Sequence, residues 1–155
     1  MNLILWRHAE AEDTAPDMQR ALTKRGLKDA ALMANWLRPH VPPGARIIAS
    51  PAVRTRQTAQ ALADGVEIMK ALAPGNSVEA LLSAAGWPSA DSGLERTVVV
   101  VGHQPALGET AALLIGDATA SWSVKKGAVW WIASRLRGGE VQAALRMVMS
   151  PEQLR

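Results

Sequence analysis

The chain has 155 residues, nearly half of them apolar and a fifth charged, which is enough for one ordinary domain spanning 1–155 and too hydrophobic for a disordered polymer. It contains no cysteine, which excludes a disulfide framework, a thiolate metal site and a thiol nucleophile. The formal charge is only +3, the basic residues are scattered, and tyrosine and phenylalanine are absent, so the interleaved basic and aromatic pattern of a nucleic-acid binder is missing.

The first apolar run, Leu3-Ile4-Leu5-Trp6, is too short for a signal-peptide core and lacks a basic lead-in. No later stretch has the apolar length needed to cross a bilayer. A soluble cytoplasmic protein with no membrane partner is therefore expected. The run itself has no period-two alternation and reads as a strand buried on both faces.

A helix is predicted over residues 23–37, with Thr23 as its N-cap. Leu27, Ala30, Ala31, Ala34 and Leu37 are expected to face inward, with Lys24, Lys28, Asp29 and Asn35 in solvent. Pro39 and Pro42-Pro43 stop it. Arg46-Ile47-Ile48-Ala49 is the second buried strand. Ser50-Pro51 reads as an N-cap and first-turn proline of a second helix that closes near Gly65. A further helix is predicted over 77–85. Thr97-Val98-Val99-Val100-Val101 is the third buried strand, followed by a helix from Pro105 to near Gly116 with Leu107, Ala111 and Leu114 inward. Two strands over 128–134 and 141–149, joined by a turn at Gly138-Gly139, close the chain. Strands alternating with helices predict an α/β three-layer sandwich, its central sheet mainly parallel and made mixed by the final hairpin.

In open α/β sheets ligands sit beyond the carboxyl ends of the parallel strands. Three such ends read Arg7-His8, Ser50-Pro51-Ala52-Val53-Arg54 and Gly102-His103. Two of the chain's three histidines and two arginines thus fall at topologically equivalent places, which predicts one shared anion site. Phosphate fits best. Arg54 falls in the first turn of a helix, where free N–H groups and the dipole favour an anion, and a guanidinium grips two oxygens at once. Arg7 would be a second clamp and His103 a further donor. Arg56, two positions on, reads as a solvated helix arginine. There is no serine in a nucleophile elbow, no phosphoaspartate motif, no His-x-His or Asp-x-Asp pair and no Walker loop, so neither a metal nor a cofactor is expected. A neutral imidazole attacking phosphorus remains, and nearby arginines would keep His8 uncharged.

Arg7-His8 after a strand, Ser50-Pro51-x-x-Arg54-x-x-Gln57-Thr58, and Gly102-His103 after a valine run resemble the histidine phosphatase (phosphoglycerate mutase-like) superfamily. Arg20-Ala21-Leu22-Thr23-x-x-Gly26, Met33-Ala34-Asn35-Trp36-Leu37 and Met149-Ser150-Pro151 point, within it, to the small SixA-type phosphohistidine phosphatases. The resemblance covers essentially the whole chain. It implies the compact version of that fold, with His8 as the phosphorylated nucleophile and Arg7, Arg54 and His103 forming the phosphate pocket.

Two departures stand out: Ala9 replaces the usual glycine, and the mid-chain loop, Leu72-Ala73-Pro74-Gly75-Asn76-Ser77, offers no proton-donating acid before Glu79. An ester leaving as alkoxide needs that proton, whereas phosphohistidine needs it less, which favours a phosphorylated protein as the partner. A phosphatase or mutase for a small phosphate ester and a non-catalytic phosphate-binding module remain the alternatives. A nucleic-acid-binding domain stands further off, its mark being a steep salt dependence. Glu10, with Glu12 and Asp13, reads as solvated loop, although Glu10 could serve as a proton donor. His40 reads as exposed, Gln57 and Thr58 as supports of the pocket, Trp130-Trp131 as cover for the sheet, and Trp87 as a loop residue that is not counted in the site although it could line the pocket mouth. The sequence leaves the oligomeric state open.

Overall fold

A computed structural model describes residues 1–89 and 95–155. Among the described residues six strands form one mixed sheet, flanked by helices on both faces. The strands are β1 (Asn2–Arg7), β2 (Arg46–Ala49), β3 (Glu67–Ile68), β4 (Thr97–Gly102), β5 (Val129–Arg137) and β6 (Glu140–Met149). Their order is β3-β2-β4-β1-β5-β6. The first four are mutually parallel, and the β5–β6 hairpin joins antiparallel to β1. The helices are α1 (Lys24–Leu37), α2 (Val53–Gln60), α3 (Val78–Ala85), α4 (Ala106–Gly116) and a final turn, α5 (Pro151–Leu154).

The three central strands lack alternation because both of their faces are covered. Leu3, Leu5, Ile48, Val98 and Val100 meet Leu81 of α3 and Leu107 and Ala111 of α4. Their neighbours Ile4, Trp6, Ile47, Val99 and Val101 meet Met33, Ala34 and Leu37 of α1 and Ala59 of α2. Each fully buried aliphatic side chain of this kind contributes about 1.5–3 kcal/mol, so a polar residue on either face would be strongly disfavoured. The register sets the site: Arg7 lies level with Gly102, and both Trp6 and Ala49 lie level with Val101. The residues that follow each strand therefore emerge at one height.

Thr23 caps α1 as expected, its Oγ1 accepting from Gly26 N at 2.9 Å. The buried face of α1 differs from the expectation, however. Leu27 and Ala31 are exposed, while Gly26, Asp29, Ala30, Met33, Ala34 and Leu37 are buried. Two tertiary contacts turn the helix this way. Gly26 lies so close to the Glu10 carbonyl that a Cβ would sit 2.0 Å from it, and Asp29 takes a bidentate contact from Arg155 at 2.8 and 2.9 Å. The second helix also starts later than predicted. Ser50 stays with the end of β2, its Oγ accepting from Ala52 N at 3.1 Å, and Ala52 is the N-cap of α2. The helix ends at Gln60, short of Gly65. The other helices and the hairpin lie where expected, Ser77 capping α3 and Gly138 and Gly139 turning with positive φ. Strand β3, absent from the sequence reading, is two exposed residues on the sheet edge.

Candidate active site

His8 leaves β1 with its N–H on Gly102 O at 3.2 Å, and Ser50 leaves β2 with its N–H on Val101 O at 3.2 Å. His103 follows β4, just before α4. These bonds carry the strand register one residue past the sheet and bring the two imidazoles together, ring centroids 5.4 Å apart and tilted by 56°. Arg54, on the first turn of α2, reaches the same place, its Nη2 lying 3.4 Å from His103 Nδ1. The structure thus gathers His8, Arg54 and His103. Arg7 stands alongside with Nη1 on Val124 O at 2.8 Å, and its charge depresses the pKa of both histidines.

The hydrogen bonds fix the tautomers. His8 Nδ1 is 2.7 Å from the Ala9 carbonyl. A carbonyl can only accept, so in the neutral ring the proton is on Nδ1 and Nε2 keeps a lone pair. A guanidinium can only donate, so His103 Nδ1 accepts from Arg54, and His103 Nε2 donates to Ser50 Oγ at 2.8 Å. Both rings stay neutral well below pH 7. His8 is held at about 4, first by desolvation; the Ala9 bond opposes this, and the charges of Arg54, Arg7 and Arg20 add to it. His103 is held at about 3, again first by desolvation and then by Arg54. Burial, rather than the neighbouring arginines expected from the sequence, is the larger cause of this neutrality.

The clamp has free donors. Among the described residues, the buried side-chain nitrogens and oxygens that lack a hydrogen-bond partner are Nε of Arg7 and Nε of Arg54. A buried N–H left without an acceptor costs about 1–3 kcal/mol, and both such groups belong to the two arginines expected to grip an oxyanion. No cluster of three or more histidine and acidic side chains suited to a metal ion occurs among the described residues.

Three participants were given no role in the site by the sequence. Asp17 opens a short 3-10 turn, Asp17–Gln19, between β1 and α1. Its backbone carbonyl accepts from Arg54 Nη1 at 2.8 Å, and its carboxylate meets Arg54 Nη2 and Arg20 Nη1, each at 3.2 Å. Burial raises the Asp17 pKa, but hydrogen bonds from Arg20 and Arg54 outweigh it, and the net shift is downward. Arg20 is thereby tied to the site; the Arg-x-Leu-Thr pattern around it was its only sequence signal. Ser50, the third, orients His103. The supports expected from α2 are present: Thr58 Oγ1 accepts from Ala9 N at 3.1 Å, and Gln57 Oε1 accepts from Leu22 N at 2.7 Å.

The residues set aside stay outside the histidine pair. Glu10 accepts a hydrogen bond from Thr23 Oγ1 at 2.7 Å, and Glu79 lines a separate cleft with Glu109. His40 is exposed and stacks on Trp36. Trp131 is buried in the sheet cover, its Nε1 on Asn2 Oδ1. Trp87 packs, partly buried, against the core cluster that holds Leu81 of α3 and Leu107 of α4.

Residues 3–75 match the family described as "Histidine phosphatase superfamily (branch 1)". The chain is 32% identical over 121 residues to the phosphohistidine phosphatase SixA of Escherichia coli K12, covering 74% of each protein. An uncharacterised protein of Picosynechococcus sp. is 33% identical over 153 residues, covering 92% of this chain and 90% of that protein. The solved structure of the protein histidine phosphatase SixA complexed with tungstate superposes with a TM-score of 0.82 at 28% identity, covering all of both chains.

Proposed function

The chain belongs to branch 1 of the histidine phosphatase superfamily, and from that footing we propose that it is a metal-independent phosphatase that takes a phosphoryl group onto Nε2 of His8 and passes it to water, its substrate being phosphohistidine on a protein. The observation that carries this reading is the state of His8: Nδ1–H is committed to the Ala9 carbonyl, Nε2 is left with its lone pair, and the Arg54–His103 pair stands beside it. The names of the SixA-type relatives support the substrate class.

In the first step Nε2 of His8 attacks phosphorus and the bond to the leaving group breaks. Arg54 and Arg7 stabilise charge on the equatorial oxygens, the main protein contribution to phosphoryl transfer; His103, whose single N–H is on Ser50 Oγ in the resting tautomer, becomes a further donor only on taking up a proton at Nδ1. In the second step water forms the new P–O bond and the P–Nε2 bond breaks. The electron pair returns to Nε2, so His8 is restored as the neutral Nδ1–H tautomer without any further proton. The protons of the water leave with the phosphate and solvent.

The leaving group decides the substrate class. An alkoxide needs a proton as it departs, and the carboxylate that touches the clamp, Asp17, is held ionised by its two arginines. A phosphohistidine can already be protonated on its distal ring nitrogen, so its imidazole departs neutral. Comparing kcat/KM on a phosphohistidine-bearing protein and on common sugar phosphates tests the reading. A preference for the phosphohistidine protein is expected, and a large preference for the sugars overturns it.

A further inference from the structure

A groove of about 430 Å³ adjoins the site, with Arg7 as the residue the two share. Five cationic and three acidic side chains line it. The carboxylates are already engaged within the protein: Asp29 by Arg155 at 2.8 Å, Glu152 by Lys125 at 3.2 Å, and Glu10 by the Thr23 hydroxyl. The cations are less committed. Lys126 is exposed and makes no ion pair among the described residues. Arg25 meets Asp29 only at 3.9 Å with its side chain largely in solvent. The groove therefore presents unneutralised positive charge beside the nucleophile.

The lysine wall is also fixed relative to His8. Gly127 N donates to the His8 carbonyl at 3.0 Å, and Trp6 Nε1 donates to the Gly127 carbonyl at 3.0 Å. Gly127 has a φ of +76°, and a Cβ there would meet Pro151 at 2.9 Å. The turn carrying Lys125 and Lys126 is thus held against the backbone of the residue that attacks phosphorus. The polypeptide around a phosphorylated side chain must lie somewhere next to the pocket, and this cationic groove adjoins it.

Resting on the phosphohistidine reading above, we propose that this groove docks the polypeptide flanking the phosphorylated histidine and selects protein substrates with carboxylates close to it. Electrostatic complementarity of this kind acts mainly through encounter and weakens with salt.

Three phosphohistidine substrates test this: the free amino acid, a peptide with aspartates flanking the phosphohistidine, and the same peptide with asparagines in their place. They are assayed with the wild type, with Lys126→Glu, and with Arg137→Glu at the tip of the distant hairpin as a control. The wild type is expected to favour the aspartate peptide by about three- to tenfold in kcat/KM at low salt, the range for a few exposed charge pairs. Lys126→Glu should remove most of that preference while leaving turnover of free phosphohistidine within about twofold; Arg137→Glu should change neither. Equal rates on the two peptides, or a preference that survives Lys126→Glu, overturn the docking inference and leave the phosphatase reading standing. No turnover of any of the three by wild type overturns both.

Discussion

Lowering the pH from 7 toward 4.5 should destabilise the protein through His8 and His103, and the size of the effect follows from their burial. Each ring has an ordinary pKa of 6.5, and in the fold the two are depressed to about 4 and about 3. The unfolded chain therefore takes up protons that the folded chain refuses. Stability from these groups is complete above pH 6.5, falls as the pH drops below that value, and levels off only below the folded pKa values. A difference of one pKa unit corresponds to about 1.4 kcal/mol, so at pH 4.5 each histidine costs the fold about 2 kcal/mol. That is a sizeable share of the roughly 5–15 kcal/mol by which domains are stable. Urea unfolding at half-unit steps between pH 7 and 4.5, for wild type, His8→Gln and His103→Gln, measures it. Each variant should lose about 2 kcal/mol less than wild type over this range. Parallel stability curves for all three would refute the claim that the rings are buried in the neutral form.

The same depressed pKa values predict proton uptake on ligand binding. A phosphate-like dianion beside His103 should raise its pKa, so calorimetric titration with tungstate in buffers of different ionisation enthalpy near pH 6 should show protons taken up; release of protons would contradict the geometry. Arg54→Lys should lower kcat/KM by one to several powers of ten with the fold intact, because a lysine cannot reproduce the two-pronged, preorganised donor; an unchanged rate removes Arg54 from the site. Gly26→Ala should destabilise by more than about 2 kcal/mol, since the new Cβ would fall 2.0 Å from the Glu10 carbonyl oxygen, and the atoms it meets are backbone that cannot swing aside. Gly65→Ala, with nothing within 4 Å, should stay within about 0.5 kcal/mol in the same urea unfolding experiment.

What could be read in advance, and what could not, divides along physical lines. β1, β2 and β4 were legible because strands buried on both faces need uninterrupted apolar residues, and Arg7, His8, Arg54 and His103 were legible because strand ends in such a sheet are fixed points. The orientation of α1 was not. Leu27 and Ala31 satisfy an apolar stripe as well as Met33 does, and the choice is made by Gly26 against Glu10 and by Asp29 against Arg155, contacts between residues far apart in sequence. Ser50 imitates a helix cap, yet its hydroxyl serves His103, 53 positions away. Asp17 carries no local signature; it enters the site because its loop folds back onto Arg54, 37 positions on. β3 has two exposed residues, too few for any periodicity to register.

The most direct measurement is of the enzyme-bound phosphoryl group. Wild type and His8→Ala, both confirmed folded, are mixed with a labelled phosphodonor and quenched within milliseconds. Wild type should carry an acid-labile, base-stable label that maps to His8, and the variant should carry none. A label that survives acid, maps elsewhere, or persists in His8→Ala would contradict the assignment of His8 as the nucleophile.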